Sequence, residues 1–260
     1  MKKPALFFIS LALCSIANSQ TFIFDGQADE NYLLQDSVKK YKIKTAVIST
    51  KMSLFVNLNI ESYISEKSTY DEQGRISFTQ QYNMDKDPDG ETYYVYGSNG
   101  LLTLDSTIAD SGREGVRKQY LSSTHIYEYD NKGNLTVKRS VYEKDTSVYR
   151  YTYGHDTVTL NYTSAKTKKN NYKQIIIKNK FGQDSVQFRY TGKKKKYMNK
   201  KWFYNEKKLL EQVSQYDEKG KRSSFTIIKY DKGGFTEFTE NNIGNDMFVI
   251  YKKYTYEYYK

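Results

Sequence analysis

Apolar and polar positions alternate with a period of two along most of the chain. In SVYRYTY, residues 147–153, Tyr149, Tyr151 and Tyr153 fall on one side. In FVIYKKYTYEYY, residues 248–259, Tyr254, Tyr256 and Tyr258 do the same. A period of two sustained over such lengths predicts β-strands rather than helices. A 3.6-residue period shows in one place. ADENYLLQDSVKKYKIK, residues 28–44, sets Leu33, Leu34, Val38 and Tyr41 on one helical face, with Asp29 as its N-cap. The expectation is one short amphipathic helix packed on the first strands, TAVIST (45–50) and SLFVNLNI (53–60).

The alternating segments are separated by a recurring heptad: YDEQGRI (70–76), YGSNGLL (96–102), YDNKGNL (129–135) and YDEKGKR (216–222). Its frame is Tyr-Asp-x-x-Gly-x-apolar. An Asp carboxylate accepts backbone N–H groups just ahead of it, and a Gly three residues on takes positive φ at little steric cost. Together they specify a type I turn closed by a G1 bulge, the connection of a β-hairpin. Gly74, Gly100, Gly133 and Gly220 fill the glycine place; 230–234 carries Gly233 and Gly234, and 204–208 has Lys208 there instead. A second internal match, YGHDTVTLNY (153–162) against FGQDSVQFRY (181–190), supports true repetition. The landmarks Tyr70, Tyr96, Tyr129, Tyr153, Phe181, Tyr204, Tyr216 and Tyr230 imply one hairpin per spacing of about two dozen residues. The two short steps, 204 to 216 and 216 to 230, read as single strands.

This frame resembles the YD, or RHS-type, repeats of bacterial exported and surface proteins over roughly residues 63–260. The resemblance implies β-hairpin architecture and surface binding. It implies no catalysis, and the chain is too short for the closed shell of the large RHS proteins and has no room for their C-terminal toxin.

The fold expectation is therefore all-β: a repetitive antiparallel hairpin meander of about a dozen strands, laid out as a twisted open sheet with one short N-terminal helix. Three segments are expected. Residues 1–19 read as a secretory signal peptide, with two lysines, an apolar run from Ala5 to Leu13, and Ala17-Asn18-Ser19 before the cut. Lipidation at Cys14 is the alternative, disfavoured by Leu13 where a small residue is expected. Residues 20–62 read as a cap with the helix and first strands, and 63–260 as the repeat domain.

Composition sharpens this picture. Tyr contributes 27 residues, Phe 13 and Pro 2, and the mean hydropathy is −0.81, too polar for one thick aliphatic core. Cleavage after Ser19 removes the single cysteine, which excludes structural disulfides and thiolate chemistry from the remainder. It also removes Lys2 and Lys3 from a formal charge of +11, and the chain stays basic. A basic exported protein meets an envelope or extracellular partner, such as an anionic polysaccharide or an acidic protein, rather than nucleic acid. The apolar run from Ala5 to Leu13 is too short to span a membrane, and no other segment approaches that length.

Candidate sites are few. Asp85, Asp87 and Asp89 of DKDPDGE (85–91) match the first half of a D-x-D-x-D-G calcium loop, which makes calcium the one cofactor candidate. Tyr96 stands where the closing acid belongs, so the alternative is a solvated acidic turn. GKKKKYMNKK (192–201) is the densest positive run and reads as a loop whose lysines guard a sheet edge, or as contact with an anionic surface. The tyrosine stripes serve either cross-strand packing or, if exposed, sugar stacking. His125 and His155 belong to no nucleophile or metal frame. Four Asp-Ser/Thr segments, beginning at Asp36, Asp105, Asp156 and Asp184, resemble an O-glycosylation consensus of exported Gram-negative proteins. The expected function is non-enzymatic: a binding or scaffolding surface at the cell envelope, in the periplasm, at the surface or secreted. A carbohydrate-binding module on the tyrosine stripes is the alternative, and a glycan hydrolase a more remote one.

Overall fold

The computed structural model describes residues 35–259 apart from 55–57, 60, 111–118, 144, 167–170, 191–194 and 245–247. The expected signal peptide, Asp29, Leu33, Leu34 and the first part of the lysine run therefore lie outside the described residues. One six-residue helix, α1 (Gln35–Lys40), precedes β1 (Ile43–Leu54), a two-residue β2 (Leu58–Asn59), β3 (Tyr63–Tyr70), β4 (Ile76–Tyr82), β5 (Pro88–Tyr96) and β6 (Leu102–Asp110). There follow β7 (Gln119–Tyr129), β8 (Leu135–Tyr142), β9 (Asp145–Tyr153), β10 (Thr157–Ser164) and β11 (Tyr172–Lys178). The chain continues through β12 (Asp184–Tyr190), β13 (Lys196–Tyr204), β14 (Leu210–Tyr216), β15 (Arg222–Tyr230), β16 (Thr236–Ile243) and β17 (Phe248–Tyr258).

From β3 to β17 each strand pairs antiparallel with the next, as a hairpin meander should. The open sheet of the sequence reading is corrected here. β1 pairs with β17 from Ile43↔Tyr258 to Leu54↔Phe248, and on its other side with β3 from Thr45↔Thr69 to Thr50↔Tyr63. Both free edges are thereby covered, and the sheet closes into a barrel whose staves are all the strands but β2. Closure is favoured because an open edge leaves a row of unpaired N–H and C=O groups. The segment TAVIST, read as part of a cap, lies within the closing stave β1. The strand count also exceeds the expected dozen: seventeen are described.

The turn reading holds at atomic level. At Asp130, Gly133 N donates to Asp130 O at 3.0 Å and Asp130 N donates to Asn134 O at 2.9 Å. The Asp130 carboxylate accepts Lys132 N and Asn134 N at 2.9 and 2.8 Å. The Asn134 side-chain amide, donating to Asp130 Oδ2 at 2.9 Å, and then these backbone bonds hold the Asp130 pKa below the usual carboxylate range. Gly133 has φ 81°, and the bulge shows as a register slip at Glu128/Tyr129. The same frame recurs at residues 71–75, 97–101, 205–209, 217–221 and 231–235. Two non-glycine residues, Lys208 (φ 63°) and Lys86 (φ 68°), occupy the left-handed place. The landmark Phe181 is out of frame: the turn there runs from Asn179 to Gln183 with Gly182 left-handed, so Phe181 lies inside it. As expected, Tyr204 to Tyr216 and Tyr216 to Tyr230 each span one strand.

The frame's tyrosine does a second job. Tyr96, Tyr129, Tyr153, Tyr204 and Tyr230 end β5, β7, β9, β13 and β15, Tyr256 lies two residues before the end of β17, and each hydroxyl donates to the first-residue carbonyl of the preceding strand. The acceptors are Ile76, Leu102, Leu135, Asp184, Leu210 and Thr236, at 2.5–3.0 Å. Tyr259 donates to Tyr70 O at 2.6 Å and carries the belt across the seam. Each such bond contributes about 1 kcal/mol. Burial is the largest cause of the raised pKa of Tyr96, Tyr129, Tyr153, Tyr204, Tyr230 and Tyr256; those of Tyr153 and Tyr230 are pushed up to about 12.

Among the described residues the strand packing follows the sheet order, and α1 packs on β1. Of the helix's expected apolar face, Val38 is buried with Ile43, Ala46, Tyr70 and Phe235, while Tyr41 lies beyond the helix and meets Phe235 edge-on at 4.9 Å. A second apolar cluster joins Tyr151, Val158, Leu160 and Ile176.

Candidate functional site

Side chains alternate across each strand, and one face of the sheet holds most of the buried residues. Among the described residues no second layer covers the barrel wall, so that is the inward face. It is unusually polar. Ser68, Thr79, Thr92, Ser123, Ser140, Ser147 and Ser164 are buried on it. They pair laterally, as in Ser68 with Thr79 at 3.1 Å and Thr92 with Thr107 at 3.0 Å. A barrel of so many staves is too wide for side chains alone to fill, so its inward face need not be aliphatic. Here hydroxyls stand in a row.

The expected tyrosine stripes belong to this wall, which corrects the picture of an exposed aromatic stripe. Tyr151 and Tyr254 are buried, and Tyr153 and Tyr256 spend their hydroxyls on the belt. Tyr258, at the seam, is exposed. A buried phenol needs a partner, so the belt and the inward orientation go together.

Cross-strand register builds a ladder that no single strand encodes. Tyr127 pairs with Lys138, Lys138 with Tyr149, Tyr149 with Tyr162, and Tyr162 with Tyr172. The row therefore crosses β7 to β11. The Lys138 ammonium sits 5.8 Å from the Tyr127 ring centroid and 5.7 Å from that of Tyr149. Tyr149 meets Tyr162 at 5.0 Å, and Tyr162 stacks on Tyr172 at 4.6 Å with rings 17° apart. The Arg189 guanidinium ends the row, 3.9 Å over Tyr172. Cation–π contacts of this kind contribute about 0.5–2 kcal/mol, more as water is excluded.

At the β7 end the ladder is anchored by Asp105, only 4% exposed. Its Oδ1 meets His125 Nδ1 at 2.7 Å and its Oδ2 accepts the Tyr127 hydroxyl at 2.6 Å. His125 Nε2 lies 3.1 Å from the Tyr142 hydroxyl. Burial first, then the Asp105 charge, pushes the Tyr127 pKa far up, so the phenol stays a donor. Both Asp105 oxygens are engaged, which suits a fixed anchor. Sequence reading found no frame for His125 because its partners lie twenty residues before and seventeen after it.

Asp85, Asp87 and Asp89 are not brought together. Asn83, Met84, Asp85, Lys86 and Asp87 form another turn of the same type, in which Asn83 Oδ1 accepts Asp87 N at 3.0 Å. Asp89 follows in β5. Among the described residues no cluster of three or more His, Cys, Asp or Glu has metal-holding geometry. Of the lysine run, Lys196 to Lys201 lie in β13, a stave with a neighbour on each side rather than an edge loop, while residues 192–194 lie outside the described residues. Of the Asp-Ser/Thr segments, Asp105 and Asp184 are buried, and Asp156 is exposed in a tight turn beside His155, 2.8 Å away.

The outer face carries charge at mid-strand on many staves, including Lys67, Glu91, Arg139, Arg150, Lys201 and Lys253. Arg139 pairs with Glu128. An Arg or Lys facing lipid at such a position costs about 2–4 kcal/mol, so this outer wall is built to face water. No helix among the described residues is long and apolar enough to cross a membrane.

No family model matches the chain, and no curated protein matches it in sequence. Among solved structures it is similar to a porin-like protein from Bacteroides vulgatus, at 12% identity over 81% of this chain and 98% of that one, with a TM-score of 0.46. It is also similar to a DUF1329 family protein from Desulfovibrio piger, at 11% identity over 85% and 87% of the two chains, TM-score 0.32. A LolA superfamily protein from Nitrosomonas europaea follows at 6% identity over 85% and 89%, TM-score 0.27. Likeness at this level carries no argument about ligand or chemistry.

Proposed function

We propose that the chain is an exported, non-enzymatic binding protein of the bacterial cell envelope, and that its ligand is a carbohydrate held on the inward wall of the barrel. The observation that carries this reading is the wall itself: a row of hydroxyls beside a ladder of tyrosines on the inward face of a barrel with too many staves for side chains alone to fill it. Hydroxyl rows match the hydrogen-bonding edges of sugars. Export follows from the signal-peptide layout of residues 1–19. The hairpin frame supports kinship with YD-repeat proteins, which implies binding rather than chemistry. A glycan array probed with residues 20–260 tests the reading. Binding to a defined glycan class is expected, and a folded protein that binds no glycan refutes it.

A further inference from the structure

The outer face of the barrel is charged unevenly from one side to the other. On the adjacent staves β11 to β15, alternation from the buried Ile176, Val213 and Ile228 fixes which positions point outward. Those positions carry five cations: Lys173, Lys196, Lys201, Arg222 and Lys229. All but Lys201 are exposed, and among the described residues none of the five pairs with a carboxylate. Four lie over rings instead. Lys196 is 4.1 Å from the Phe188 centroid, Lys201 4.8 Å from Phe203, Arg222 4.4 Å from Phe225 and Lys229 5.7 Å from Phe238. Such contacts orient a charge without neutralising it. The acids of residues 172–230 do not offset these cations. Asp184 is buried, and Glu211 is exposed beside the 205–209 turn, at a rim. Glu206 shares that turn with Lys207 and Lys208, and Asp217 and Glu218 share theirs with Lys219 and Lys221. Across the barrel, on β4 to β8, the one outward cation is Arg139, set against Glu91 and Glu128.

We infer that the outer face of β11 to β15 docks on an anionic lipid surface, at the headgroup layer of a membrane and without spanning it. Four to eight clustered cations are the footprint of such a contact. Here five staves at about 4.8 Å spacing spread them over about 19 Å. What lies between the cations selects lipid over an acidic polysaccharide. Ile175, Phe188 and Met198 form one outward row, and Phe203 and Ile227 flank Gln212 in another. The polar pair at the centre is already spent: Gln212 Nε2 donates to Ser214 Oγ at 2.8 Å, and Ser214 is buried. A polysaccharide needs free hydrogen-bonding groups beside the charges. A headgroup layer needs apolar side chains that sink a little way, with ammonium groups reaching the phosphates on flexible stems. Lys201 at mid-strand stops the wall from going deeper, because a lysine facing the hydrocarbon is costly. This surface lies outside the barrel, so it stands or falls independently of the inward ligand.

The test is co-sedimentation of residues 20–260 with sucrose-loaded vesicles, either phosphatidylcholine alone or phosphatidylcholine with about 30 mol % phosphatidylglycerol. Binding to the anionic vesicles is expected to be at least about tenfold tighter, and to fall as NaCl rises. Each basic residue contributes about fivefold, and reversal adds repulsion, so Lys173→Glu and Lys229→Glu should each cost about tenfold or more. Lys67→Glu makes the same change in net charge at an exposed outward position on β3, away from the face, and should leave binding within about twofold. Should Lys229→Glu fail to fold by circular dichroism, Lys173→Glu decides, since that exposed side chain has no partner among the described residues. Equal binding to both vesicles overturns the proposal, and so does an equal loss in Lys67→Glu, which would leave only general charge. Absence of vesicle binding overturns it as well. An oligogalacturonate that binds in place of vesicles, and is lost with the same reversals, gives the face to an acidic polysaccharide instead.

Discussion

Lys86 holds a left-handed backbone, φ 68°, at the turn place where most of the described hairpins carry glycine. A non-glycine residue there costs about 1–2 kcal/mol through its Cβ. Lys86→Gly removes that strain and adds back about 0.5–1 kcal/mol of unfolded-chain entropy, for a net gain of about 0.5–1 kcal/mol. Gly220, φ 78°, is the reciprocal case. A Cβ added there meets nothing within 4 Å, so Gly220→Ala tests backbone strain alone and should lose about 0.5–1 kcal/mol. Lys208, φ 63°, is a poorer probe, because its ammonium lies 4.3 Å over Phe181 and glycine would forfeit that contact. In a barrel of this size the two substitutions should move Tm by about 1–4 °C in opposite directions. Urea unfolding followed by circular dichroism measures both, with m unchanged. If Lys86→Gly is neutral or destabilising while Gly220→Ala is harmless, the turn is not the device described here.

Other consequences are equally direct. Asp105→Ala should cost about 3–5 kcal/mol, because it strands the His125 imidazole and the Tyr127 hydroxyl in a buried wall; denaturant midpoints check it. Asp184 is an acid whose folded pKa is raised, so the fold favours its neutral form, and that contribution is present at low pH and lost as pH rises through the folded value. Asp184→Asn should therefore raise urea stability at pH 7, with the gain fading to nothing by about pH 3. Tyr259→Phe should lower stability by about 1 kcal/mol through loss of the bond to Tyr70 O, detected as a lower denaturation midpoint. Calcium titrated to millimolar concentration should release no heat, since Asp85 and Asp87 lie in a hairpin turn and Asp89 in the next strand.

What could be read in advance was local. Asp130 and Gly133 dictate their turn through bonds that span four residues, and Tyr149, Tyr151 and Tyr153 declare a strand by alternation alone. The sequence by itself thus determined the all-β hairpin order and the turn chemistry, because each depends on neighbours in the chain. Closure was different. β1 meets β17 across more than two hundred residues, and nothing in TAVIST distinguishes a closing stave from a capping strand. The ladder and the Asp105 anchor were hidden for a related reason. Each G1 bulge slips the register by one residue, so which tyrosine faces which lysine is set by the sum of the slips along the meander. Only the tertiary structure decided that Tyr127, Lys138, Tyr149, Tyr162 and Tyr172 share one row, and that the row faces inward, because both follow from how strands align and close rather than from any one strand's residues.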